Sequence, residues 1–191
     1  TVAIAATAWR DAVTLNAGDA GERRQQVAAS LSALDSVQKE LGEDFGTQKA
    51  FEAVHAGFDG LKHMPATGTQ DALFFAHIEF GERIVELTDA VTDASQLSLD
   101  PDLDTNHMMR VAIEAGPRQN ENTARLVTMG SLALQSRSLD AARHEPLLRW
   151  SAVQKMLDDD VERSYGAGIE SDPTAASLFD MKGTDEAFDA F

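Results

Sequence analysis

Apolar residues recur at spacings of three and four along almost the whole chain, and in no segment do they alternate as a strand requires. The cleanest series is Leu73, His77, Phe80, Ile84, Leu87 and Val91, which keeps every member on one face of a helix. Val27, Leu31, Leu34, Leu41 and Phe45 form a second stripe, with Gln38 in the gap. Phe51, Val54, Phe58 and Leu61 form a third, and Trp150, Val153, Leu157 and Val161 a fourth. Stripes this narrow bury one side of each helix against its neighbours. The chain therefore reads as all-α: an elongated antiparallel helical bundle, one domain over residues 1–191, with room for two stacked four-helix-type modules.

The breaks between stripes are equally legible. Gly18 to Gly21 interrupts the first apolar stretch, and Gly42 and Gly46 bracket a turn before the third stripe. Met64-Pro65-Ala66-Thr67-Gly68 ends the next helix, because Pro and Gly continue one only at a cost. Thr69 or Asp71 is placed to cap the helix that follows, and Asp104 or Thr105 the one after the acidic loop Leu99-Asp100-Pro101-Asp102. Ser171-Asp172-Pro173 has the form of an N-cap with Pro at the first helical position. The longest element is expected from Thr105 to Ser138, roughly 50 Å at about 1.5 Å per residue, with a kink near Gly116 imposed by Pro117. Both ends, Thr1-Val2-Ala3-Ile4 and Ala187-Phe188-Asp189-Ala190-Phe191, stay in the helical pattern without caps, as expected of a piece of a longer chain.

The formal charge is -16, from 32 acidic and 16 basic residues, and a field of that sign repels nucleic acid and anionic lipid. There is no Cys, which removes disulfides and thiolate chemistry. No apolar run approaches the roughly 20 residues that cross a bilayer. P-loop, GxGxxG, GxSxG and HExxH motifs are all missing. Asp158-Asp159-Asp160 reads as a solvated helix face.

Four features carry polar chemistry. Asp100, Asp102 and Asp104 begin like a calcium loop, but Thr105 stands where Gly is needed and Val111 where a bidentate Glu is needed, so helix capping explains them more simply. Glu52 and His55 form a Glu-x-x-His pair, the ligand spacing of di-iron bundles, and His107 supplies the nearest second candidate; a metal-dependent bundle enzyme on these residues is the alternative class. His77 sits on an apolar stripe, where it is either a core histidine bonded to a facing helix or a ligand contact inside the bundle.

The last feature is a row of Arg110, Arg118 and Arg125, which a straight α-helix keeps within a quarter turn of one face. Gln119, Asn120, Asn122 and Thr123 lie between them. One reading is a solvated face with the arginines paired to acidic neighbours. The functional reading is a pocket for a small carboxylate, held in the bidentate fork of Arg118 and Arg125, oriented by Asn122 and touched by His77 from the facing helix.

From Gln70 to Pro117 the chain resembles the helical extracytoplasmic sensor region of bacterial chemoreceptors and sensor histidine kinases. The residues that carry the resemblance are His77-Ile78, Asp93-Ala94-Ser95, Leu99-Asp100-Pro101-Asp102, His107-Met108-Met109 and Gly116-Pro117. His107-Met108 stands where that family has an aromatic pair, and Gly116 where it has Leu. The resemblance implies a periplasmic ligand-sensing domain between two transmembrane helices, dimeric in the full receptor. Such a domain has no catalytic activity or cofactor of its own. It passes a helix shift across the membrane to a kinase or a chemotaxis signalling tail. With the arginine row, the expected ligand is a small organic acid; a bundle that only relays a partner's signal is the remaining reading.

Overall fold

Residues 2–64, 69–96 and 101–178 are described in a computed structural model. In chain order they form α1 (Val2–Thr14), α2 (Ala20–Phe45), α3 (Gln48–Lys62), α4 (Gln70–Ala94) and α5 (Leu103–Met109). A π-helical turn (Arg110–Ala115), α6 (Gly116–Ser136), α7 (Ala141–Ser171) and a 3-10 turn (Pro173–Leu178) follow. The described residues contain no strand, so the fold is all-α, and none of their helices is long and apolar enough to cross a membrane. Leu99 and Asp100 of the acidic loop, the break at Pro65–Gly68 and the pattern at Ala187–Phe191 lie outside the described residues.

Two apolar clusters hold the helices together, and both draw on α4. Phe80, Ile84 and Leu87 meet Ala6 and Trp9 of α1, Val27 and Leu31 of α2, and Val54 and Phe58 of α3. Phe74 and Ile78 leave α4 on another flank and meet Met129 and Leu132 of α6 and Trp150 of α7. α4 is thus the helix that both clusters share. Its stripe is buried from His77 to Leu87, while Val91 is exposed. Phe74, fully buried, belongs to the second flank that the single stripe does not include. Asp71 and Arg143 fasten the starts of α4 and α7 through paired bonds of 2.9 and 3.0 Å.

Several caps follow the sequence. Thr69 Oγ1 accepts the Ala72 N–H at 3.2 Å, and Asp172 accepts the Thr174 N–H at 2.9 Å ahead of the 3-10 turn. Gly46 closes α2 in the left-handed region at φ 62°, whereas Gly42 lies inside α2 rather than in a turn. α5 begins at Leu103 behind Asp102, so Asp104 and Thr105 fall in its first turn and do not cap it.

The expected kink at Pro117 takes the form of the π-helical turn. Pro117 has no N–H to give to the preceding turn. The Gly116 N–H reaches back five residues to the Val111 carbonyl, and the widened turn absorbs the mismatch without breaking the helical run from Leu103 to Ser136. A Cβ at position 116 would fall on that same carbonyl oxygen, which explains why Gly stands there. The longest uninterrupted α-helix is α7, with 31 residues, which carries Pro146 one and a half turns from its start.

In an ordinary helix interior Gly→Ala stabilises by about 1 kcal/mol. Gly116→Ala is expected to reverse that sign and destabilise by about 1–3 kcal/mol, because the added methyl overpacks the π-helical turn. The urea unfolding midpoint checks it; an unchanged or raised midpoint would refute the role assigned to Gly116.

Candidate functional site

The polar centre of the bundle forms where α1, α4 and α6 meet. Arg10 of α1 is only 2% exposed, and its guanidinium stands 5.7 Å from the Phe74 ring centre. Its charge is met by Glu121 of α6, which accepts from Arg10 Nη1 at 2.5 Å, and by Asp11, which accepts from its Nε at 3.1 Å. Glu121 also accepts from Arg125 Nε at 2.9 Å and from Thr7 Oγ1 at 3.0 Å. Thr128 Oγ1 donates to Asp11 at 2.7 Å, adding a third tie between α1 and α6. One carboxylate therefore gathers donors from two helices, an arrangement a buried charge requires. Sequence periodicity gave no sign of Arg10, which lies between the apolar residues Trp9 and Ala12 of a short helix.

His77 lies beside this centre. Its ring meets Trp9 edge-on at 4.5 Å, and it is 4% exposed. Burial, with the neighbouring positive charge of Arg10 second, pushes its pKa from 6.5 down to about 4. Among the described residues, His77 Nδ1, Arg10 Nη2 and Thr14 Oγ1 are buried without hydrogen-bond partners.

A groove of about 450 Å³ runs between α4, α6 and α7. It exists because the backbones of α4 and α6 do not pack closely, unlike those of α6 and α7. At one end of the gap Phe74, Ile78, Met129 and Leu132 fill the space. Further along, α4 offers only Glu82, Val85 and Glu86, and the gap stays open. Its volume suits a small ligand.

Three of the four residues expected at a binding site line this groove: Arg118, Asn122 and Arg125. His77 does not; its place on the apolar stripe turns it towards Trp9 of α1. The arginines already have partners. Arg118 Nη2 bonds both oxygens of Asp89, at 2.8 and 2.7 Å. Arg125 is held by Glu121 and stands 3.5 Å from Glu82. Asn122 Nδ2 donates to the Trp150 carbonyl and to Gln154 Oε1, each at 2.8 Å, and is 6% exposed. Gln154 and Gln119 both donate to Asp158, at 2.8 and 2.7 Å. The polar stretch of α6 thus builds a hydrogen-bonded ladder against α7, and Asp158 belongs to it rather than to a solvated face.

Arg110 parts company with the row. It bonds both oxygens of Asp160 on α7 at 3.2 Å, while Arg118 and Arg125 reach α4. The π-helical turn between Arg110 and Arg118 shifts the helical register, which a straight-helix projection does not include.

The metal constellation does not assemble. His55 Nε2 stands 2.8 Å from Asp35 on α2, and Glu52 accepts from Gln48 at 2.6 Å. His107 packs instead beside Gly168 of α7. No group of three or more potential metal-binding side chains occurs among the described residues. No family model matches the chain, and no curated protein or solved structure matches it.

Glu121→Gln is expected to destabilise the fold by about 3 kcal/mol, because it leaves the buried Arg10 guanidinium under-compensated. The double variant Arg10→Met/Glu121→Leu should recover most of that loss; urea midpoints decide. His77 supplies a pH test. Its unfolded form takes up protons below about 6.5 and its folded form only near 4, so stability falls as pH drops through that window, by about 3 kcal/mol in all. The fall should be smaller in His77→Gln over the same range.

Proposed function

We propose that this chain is the periplasmic ligand-sensing domain of a bacterial transmembrane receptor, of the sensor-kinase or chemoreceptor kind, dimeric in the full protein. It catalyses no reaction. It binds a small molecule in the groove between α4, α6 and α7 and converts occupancy into a shift of helices.

The observation that carries this reading is the double position of Glu121. Its residue lines the groove, and its carboxylate holds Arg10 of α1 from behind. A ligand that draws on Arg125 or Glu121 changes the grip on α1. α1 packs on α2 and α4, so its displacement is felt throughout the bundle. The motif likeness from Gln70 to Pro117 supports the same reading. A simple organic acid is served less well than the arginine row suggests, because Asp89, Glu82 and Glu121 already hold both guanidinium groups.

A thermal-shift screen against organic acids, amino acids and amines tests it. A ligand at about 100 times its dissociation constant should add roughly 2.7 kcal/mol of stability. Amide exchange in α1 should change when that ligand binds. No stabilisation by any member of the panel would leave only a relaying bundle.

A further inference from the structure

Among the charged side chains that line the groove, one makes no hydrogen bond or ion pair among the described residues, and it is acidic. Asp89, Glu82 and Glu121 engage Arg118 and Arg125. Glu121 receives three donors of its own. Glu82, at 56% exposed, has only the 3.5 Å approach of Arg125. Glu86 makes no hydrogen bond or ion pair among the described residues, although it lines the groove and is exposed.

Glu82 and Glu86 lie one turn apart on α4, at the spacing where like charges repel across a helix face. Val85 stands between them in sequence, and Val153 and Leu157 of α7 add aliphatic surface to the groove. Val153 is a stripe position of α7 that remains 38% exposed because it borders this open space. The groove therefore offers a pair of carboxylates with free capacity and an aliphatic wall beside them. The wider field acts in the same sense, since a chain of charge -16 concentrates cations at its surface and repels anions.

We propose that the groove recognises an aliphatic amine: an ammonium group received by Glu86 and Glu82, with its hydrocarbon part on Val85, Val153 and Leu157. The proposal rests on the reading of the groove as the sensor's ligand seat and specifies the chemistry of its ligand. An ammonium satisfies Glu86 without displacing any ion pair, and at Glu82 it competes only with the 3.5 Å approach of Arg125. A carboxylate of the same size meets guanidinium groups whose charge Asp89, Glu82 and Glu121 already offset.

The test compares two probes with the same number of carbons and opposite charge, n-pentylammonium and n-pentanoate, on the 191-residue chain. Methyl resonances of Val85, Val153 and Leu157 are followed at constant ionic strength. Pentylammonium is expected to shift all three saturably and to raise the melting temperature, while pentanoate does neither. Glu86→Gln should weaken the pentylammonium affinity at least tenfold; this exposed side chain holds no partner, so the variant should melt like the parent. Glu82→Gln should weaken it by less.

Each other result overturns the proposal in a different way. Pentanoate binding that is lost in Arg118→Gln would keep the groove as ligand seat and replace the amine by an acid. Pentylammonium shifts that persist unchanged in Glu86→Gln would mark a cation gathered by the acidic surface at large. Silence of the three methyl groups towards both probes would remove the groove as a ligand seat and the sensor reading with it.

Discussion

A guanidinium is held inside this bundle, and its charge is offset by one carboxylate of its own helix and one of α6. Arg10 sits in α1 at 2% exposure, where an unpaired charge would cost several kcal/mol. Glu121 must therefore come within hydrogen-bond reach, which fixes α6 against α1 at one height and rotation. The same carboxylate takes Arg125 and Thr7, so the pair belongs to a small network with one acceptor at its centre. Apolar packing alone would tolerate sliding between α1 and α6. A charge-assisted bond between named atoms does not, and it gives this part of the bundle a defined register.

The consequences reach the groove. α1 and α7 both pack on α6, leaving its backbone clear of α4, and the gap closes only where large side chains occupy it. Phe74, Ile78, Met129 and Leu132 seal one end. The open stretch is bordered by α4 residues that are short or charged. The groove is thus a region where the core runs out of apolar volume while the helices continue.

Much of this architecture was legible in the sequence because burial obeys helical periodicity. The α3 stripe is buried at Val54 and Phe58, and the α4 stripe from His77 to Leu87. Thr69 caps α4, as a Thr directly before a periodic run should. What escaped has physical causes. A single stripe assigns one buried face per helix, and α4 has two, so the stripe leaves out Phe74 and Ile78. A straight-helix projection keeps Arg110 in the row with Arg118 and Arg125, whereas the π-helical turn gives it a different neighbour. Spacing brought Arg118, Asn122 and Arg125 to one groove but said nothing of Asp89, Glu82 and Glu86, which come from a helix about 30 residues earlier. Arg10 carried no pattern, since one basic residue in a short helix is ordinarily solvated.

The π-helical turn has a further consequence for how one helical run serves two partners. A run with constant winding shows each neighbour the same set of residues along its length. Here the added residue in the turn works like an offset between two gears on one shaft. The first residue of the turn, Arg110, faces α7, and the portion after the turn presents Arg118 and Arg125 to α4. The Gly116 N–H reaches the Val111 carbonyl at the end of this turn, and the missing side chain at 116 leaves room for it. Passing that extra residue one step along the run would re-aim a side chain without moving the helix axis, a finer motion than a piston or a hinge.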